Sequence, residues 1–182
     1  MPQVKGLAFR SVLQAHAGLR GDDSLDAVYK ALEPGLTQTL RSPLAATWYP
    51  LAYYAALWDA IQRTTGENPD YPRQIGRRCA EQDLKTVHKV LFAALNTTVA
   101  LSVTARMFGS YYDTGKCSAK RLDARIFRFT FQGCLGFTEP MWTELRGALE
   151  VFVEQSTKRP ARSVLVQGGH GGDENSLVDV RW

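Results

Sequence analysis

Cysteine and histidine are both scarce in this chain. Three cysteines, Cys79, Cys117 and Cys134, are widely spaced, odd in number and form no C-x-x-C pair. That pattern excludes a disulfide framework and a zinc ribbon, and it fits reduced thiols in a cytosolic compartment. His16, His88 and His170 are the only histidines. No stretch approaches the ~18 apolar residues of a membrane span, and the opening MPQVKGLAFRSVL has too short an apolar run for a signal peptide. There is no internal repeat, and low complexity is confined to GGHGGDEN, residues 168–175. These absences predict a cytoplasmic protein without a membrane span.

What is present is ordinary globular material. Hydrophobic residues make up 45% and charged residues 22% of 182 residues, enough for a single domain over 1–182 that buries roughly 70% of its unfolded surface without staples. The net charge is +4. Its clearest cluster is Lys116, Lys120, Arg121, Arg125 and Arg128, opposed only by Asp123. Arg78, Lys85 and Lys89 are offset by Glu81, which stands at favourable i,i+4 spacing from Lys85. No named nucleic-acid motif accompanies either group, so the first reads as a solvated sheet edge guarded by charge and a nucleic-acid partner is not expected.

The last third of the chain carries the clearest pattern. Arg125 to Gln132 alternates, with Phe127, Phe129 and Phe131 on one face and Arg128, Thr130 and Gln132 on the other, the period of a half-buried strand. Glu139 to Gln155 repeats at helical spacing through Met141, Leu145, Ala148, Leu149 and Phe152. Thr138 is placed to cap it, Pro140 falls in its first turn, and Pro160 stops it. Val164 to Gln167 and Leu177 to Trp182 read as a terminal hairpin. The first two thirds read as helices. Leu25 to Leu32 is stopped by Glu33-Pro34-Gly35, and Leu51 to Ile61 ends near Gly66. A long helix follows Pro72 through Ile75, Cys79, Leu84, Val87, Leu91 and Leu95, with an end or bend at Asn96. Val99 to Tyr112 is closed by Gly115. Pro50 either starts a helix or kinks one. The expected class is α+β: an N-terminal helical bundle over about 1–115, then a small antiparallel sheet over about 116–182 in the order β-β-α-β-β, with one crossing helix.

No catalytic constellation emerges. His88 borders an apolar helix face with no second ligand in reach, and His16 sits among alanines with nothing evident to pair with. His170, with Asp173 and Glu174, occupies a glycine-rich tip that lacks the helix and lysine of a phosphate cradle. It reads as a hairpin connection rather than a metal site. Gln132-Gly133-Cys134-Leu135-Gly136 approximates a caspase-type cysteine signature, but leucine replaces the fourth residue and the glycines equally suit a chain leaving a strand. The aromatics remain: Trp48, Tyr49, Tyr53, Tyr54, Trp58, Phe108, Tyr111, Tyr112 and Trp142 are generous for packing alone. Tyr53, Trp58, Phe108 and Trp142 are the candidates for lining a ligand pocket between bundle and sheet.

Taken together, GLAFRSVL, WYPLAYYAAL, IGRRCAEQDL, ARMFGSYYDTG and the closing Leu-Val-Asp-Val-Arg-Trp resemble a bacterial family best known from myxobacteria and Deinococcus. That family and this order of elements resemble the wider fold of haem-nitric-oxide-binding domains, four-vinyl-reductase-type domains and TRAPP-type subunits. The resemblance implies a non-enzymatic module that senses a ligand, binds a partner, or does both. The Tyr-x-Ser-x-Arg pattern that the haem-binding branch uses for the propionates is missing from the chain, and the metal-binding cysteines of some four-vinyl-reductase-type relatives have no counterpart in the terminal hairpin. No cofactor is therefore expected. The leading expectation is a regulatory or adaptor domain that acts by protein contact, as a homodimer with an unidentified protein partner. The alternative is a sensor binding a hydrophobic small molecule in an aromatic-lined pocket.

Overall fold

The computed structural model describes residues 1–66, 68–86 and 97–182. The chain opens on a short strand, β1 (Gln3–Lys5), paired antiparallel with β2 (Trp48–Pro50) so that Val4 faces Tyr49. Three residues are too few to display a period of two, which is why this small sheet is not legible in the sequence. Between its strands run α1 (Gly6–Arg20), α2 (Asp22–Ala31) and α3 (Pro34–Leu40). Asp22 and Asp23 lie in the first turn of α2, where the helix dipole favours negative charge. Pro34 opens α3 as a first-turn proline.

Pro50 closes β2 and leads directly into α4 (Leu51–Thr65), which ends at Gly66 in the left-handed conformation. Next come α5 (Tyr71–Thr86) and α6 (Thr97–Tyr111). The expected inward positions Val87, Leu91 and Leu95, the bend at Asn96, and His88 lie outside the described residues. Then follow β3 (Lys116–Asp123), β4 (Ile126–Gln132), α7 (Glu139–Thr157), β5 (Arg162–Gly168) and β6 (Ser176–Arg181). The four strands form one antiparallel sheet in the order β3-β4-β6-β5. This is the α+β arrangement with the β-β-α-β-β unit that the pattern predicts.

The alternation in β4 has its expected consequence. Phe127, Phe129 and Phe131 are buried, with Phe127 opposite Val180 and Phe129 opposite Val178 on β6. On the other face Arg128 makes a two-pronged ion pair with Asp179, at 2.7 and 3.0 Å. Arg121 of the same basic cluster donates to the carbonyls of Asp123 and Ala124. Behind the sheet the rings form a continuous series: Phe9 edge-on to Tyr54 at 5.1 Å, Phe108 stacked on Tyr112 at 4.9 Å, Phe108 against Phe131 at 5.5 Å, and Phe137 against Trp142 at 4.8 Å. Such edge and offset contacts suit the ring quadrupole. Among the described residues no helix is long and apolar enough to cross a membrane.

The closest helix pair is α5 with α7. A Cβ on Gly76 would fall 1.9 Å from the Glu144 carbonyl oxygen, and one on Gly147 would fall 2.1 Å from that of Arg73. The two backbones therefore touch at both points, and only glycine permits it. Beside the crossing, the fully buried Glu150 receives Arg73 Nη2 at 2.8 Å and Arg77 Nη1 at 3.0 Å, while the Ser163 N–H and hydroxyl donate to it at 2.8 and 2.6 Å and tie β5 to α7.

Gly76→Ala should lower stability by about 1–3 kcal/mol through overpacking, read from denaturant melts. Gly35→Ala, in open space on α3, should be neutral or stabilising by up to about 1 kcal/mol.

Candidate functional site

The close α5–α7 crossing brings the inner face of α7 towards α6, leaving a cavity of about 100 Å³ between α1, α5, α6, α7 and the first two strands of the large sheet. Its wall is mostly apolar: Ala80 from α5, Phe108 from α6, Phe131 from β4, and Leu145, Ala148 and Phe152 from α7. Into this wall the helices bring two acids. Glu144 comes from α7 and Asp83 from α5.

Glu144 is 9% exposed, and the Tyr54 hydroxyl donates to its two oxygens, at 2.9 Å each. The Trp58 indole N–H approaches the same carboxyl without completing a hydrogen bond. Burial pushes the Glu144 carboxyl up to about 8; the Tyr54 hydroxyl offsets part of this, and the nearby charge of Asp83 adds to it. Asp83 accepts the Tyr111 hydroxyl at 3.0 Å. Burial, with the acids close by, raises the Tyr54, Tyr111 and Tyr112 phenols and the Cys79 thiol. All four are thus hydrogen-bearing, neutral groups around the carboxyl.

Glu150, two turns further along α7, has the opposite fate. Burial alone would raise its carboxyl, but the hydrogen bonds from Arg73 and Ser163 outweigh this and hold it below the ordinary glutamate range. Two buried glutamates on one helix are therefore kept in different protonation states by the presence or absence of a guanidinium.

Of the four candidate aromatics, Phe108 lines the cavity. Trp58 is fully buried behind Glu144, and Trp142 packs against Phe131 and Phe137 outside the cavity wall. Tyr53 is 38% exposed, since the helical step of about 100° per residue that buries Tyr54 turns its neighbour outward. Glu144 was not singled out by its sequence, although it stands three residues after Met141 and four before Ala148, on the apolar stripe of its own helix.

The reading of His16 as unpartnered is corrected. Its Nε2 lies 3.0 Å from Ser24 Oγ and its Nδ1 2.9 Å from Tyr71 Oη, and burial chiefly lowers its basicity. Both partners come from other helices, so local sequence could not reveal them. Cys134 is fully buried, which pushes its thiol up to about 12, the wrong direction for a reactive thiolate. The glycine-rich tip folds back on the β4–α7 connection: Cys134 N–H donates to the Glu174 carbonyl at 2.8 Å and Gly133 N–H to Asn175 Oδ1 at 3.1 Å. His170 donates its backbone N–H to Asp173. Among the described residues no group of three or more His, Cys, Asp or Glu side chains is placed to hold a metal ion.

The two glutamates give opposite pH signatures. For Glu144 the folded-state value is raised, so its contribution is fully present below about pH 4.5 and is lost as pH rises to about 8. Glu150 has a depressed value, so its contribution is present above the ordinary range of about 4.3 and is lost on acidification below it. Glu144→Gln should therefore flatten the decline in stability between pH 5 and 8, and Glu150→Gln should steepen no such decline but cost about 3–5 kcal/mol at neutral pH. Chemical denaturation across pH reads both.

No protein-family model matches the chain, and no curated protein sequence matches it significantly. Solved structures do. An oxygen-binding H-NOX domain related to soluble guanylate cyclases, in its oxygen complex, superposes with a TM-score of 0.71 at 14% identity, over 97% of this chain and 94% of that one. The Fe(II) unliganded H-NOX protein from K. algicida gives 0.70 at 12% identity, over 97% and 95%. A structure concerned with haem redox potential and protein-induced porphyrin distortion gives 0.70 at 14%, over 98% and 99%. At these identities the likeness concerns architecture alone: the chain has the H-NOX-like α+β fold.

Proposed function

We propose that the chain is a non-enzymatic sensor domain that binds a small molecule in the cavity between its helical bundle and its sheet. The observation that carries this reading is the cavity itself, mostly apolar and ringed by Phe108, Phe131 and Phe152, with the Glu144 carboxyl in its wall. Apolar pockets with a few convergent polar groups are the usual form of a ligand site. The described H-NOX structures, one of them binding oxygen, support a ligand-sensing role for a domain of this shape. The adaptor reading, with its homodimer and protein partner, draws on no feature of the geometry above, so the sensor reading is preferred.

The residues do not fit haem. A cavity of about 100 Å³ is smaller than the roughly 150 Å³ void that accepts one benzene, and a porphyrin is several times larger than that. Among the described residues no histidine lines it, and the Tyr-x-Ser-x-Arg pattern is missing from the chain. The space between bundle and sheet is instead filled by the Phe108, Tyr112, Phe137 and Trp142 rings.

Native mass spectrometry of gently purified protein should show added mass that disappears on denaturation. Ala148→Met, which fills the cavity with a flexible side chain, should remove that mass and leave the melting temperature of the ligand-free protein the same or higher. A wild-type protein without added mass, and without thermal stabilisation by any member of a small-molecule panel, would contradict the proposal.

A further inference from the structure

We infer that the ligand is a small alkylammonium cation, its charged head paired with the Glu144 carboxylate and its methyl groups held against the rings of the cavity. The inference rests on the sensor reading and names the chemistry of that same site. Glu144 offers two oxygens with four acceptor positions, and the Tyr54 hydroxyl is the one donor that bonds it among the described residues. No Arg, Lys or His forms a salt bridge with it among those residues. Glu150 on the same helix has two arginines. Among the described residues the cavity thus presents a carboxyl without a cation, whereas Glu150 is paired.

The walls suit a cation with apolar surroundings. Phe108, Tyr111, Tyr112 and Phe131 present ring faces or edges around the space, and ring faces attract quaternary and substituted ammonium groups. Asp83, in the same wall, adds negative potential. The volume limits the guest to a few heavy atoms, so trimethylammonium is of the right order and longer amines are not.

Binding is linked to one proton. The free carboxyl holds its proton because burial outweighs the help of Tyr54; the arriving cation pairs with the ionised form, and the proton leaves to solvent. The groups that face it are Tyr54 and Trp58 from α4, Cys79 and Asp83 from α5, Tyr111 from the end of α6 and Tyr112 immediately after it. The tyrosines and the cysteine stay neutral across the range, so the released proton belongs to the carboxyl. Affinity should therefore rise about tenfold per pH unit up to about pH 8 and level off above it.

The test is isothermal titration of the intact chain with trimethylammonium chloride and, as a neutral guest of similar size, tert-butanol. At pH 8.5 trimethylammonium should bind, with a dissociation constant on the order of tens of micromolar at the tightest for four heavy atoms. At pH 6.5 it should bind roughly 20-fold more weakly and release a proton, seen as a heat that depends on the buffer. Glu144→Gln should abolish the pH dependence and reduce trimethylammonium to the level of tert-butanol. Should Glu144→Gln fail to fold, Tyr54→Phe serves: it keeps the acid, removes the donor that favours its ionised form, and should move the midpoint of the pH dependence upward. Equal binding of both guests without pH dependence would overturn the cation inference and leave the sensor reading standing. Binding of neither guest, with Ala148→Met indistinguishable from wild type, would overturn both.

Discussion

The backbone contact between α5 and α7 is the constraint on which the rest depends. Gly76 lies against the Glu144 backbone and Gly147 against that of Arg73, so each glycine accommodates the residue one turn before the other. Glycine in a helix interior costs about 1 kcal/mol against alanine, and here that cost allows two helices to touch along their main chains. The side chains next to the contact diverge. Arg73 reaches Glu150, which is bonded in turn to Ser163 at the start of β5, while Glu144 meets Tyr54 beside the cavity. One helix crossing thereby fixes both the sheet's attachment and the polar edge of the candidate site.

The contrast between Glu150 and Glu144 shows how local partners decide the state of a buried acid. Both are desolvated. The first keeps its charge because guanidinium and hydroxyl donors surround it; the second has a phenol and a nearby acid, and burial prevails. A neutral glutamic acid in an apolar cavity is a group whose charge a nearby cation can change. The chain shares the fold of solved H-NOX structures at low identity, and the space between its layers is a small void walled largely by rings.

Much of the architecture is legible in the sequence because it is periodic. Phe127, Phe129 and Phe131 specify a strand with one buried face, and Met141, Leu145, Leu149 and Phe152 specify the helix that covers it. The β1–β2 pair is not legible, because Val4 and Tyr49 meet through tertiary folding alone. The site is half legible. Phe108 is recognisable as an aromatic at helical spacing, whereas Tyr53 and Tyr54 are adjacent and only the register of α4 decides which is buried. Glu144 occupies an apolar-stripe position that a polar residue fills only with a partner, and that partner, Tyr54, lies 90 residues away in the chain. His16 is a similar case, with Tyr71 at a separation of 55 residues.

Among the described residues Glu144 has no cationic partner, and it stands in the wall of the cavity. The most direct measurement is a carbon-13 NMR titration of its carboxyl, assigned with Glu144→Gln, in the free protein and with saturating trimethylammonium. The account predicts a midpoint near 8 in the free protein and a clear downward displacement with the cation bound. A midpoint in the ordinary glutamate range near 4.3, or one that the cation leaves unmoved, would contradict it.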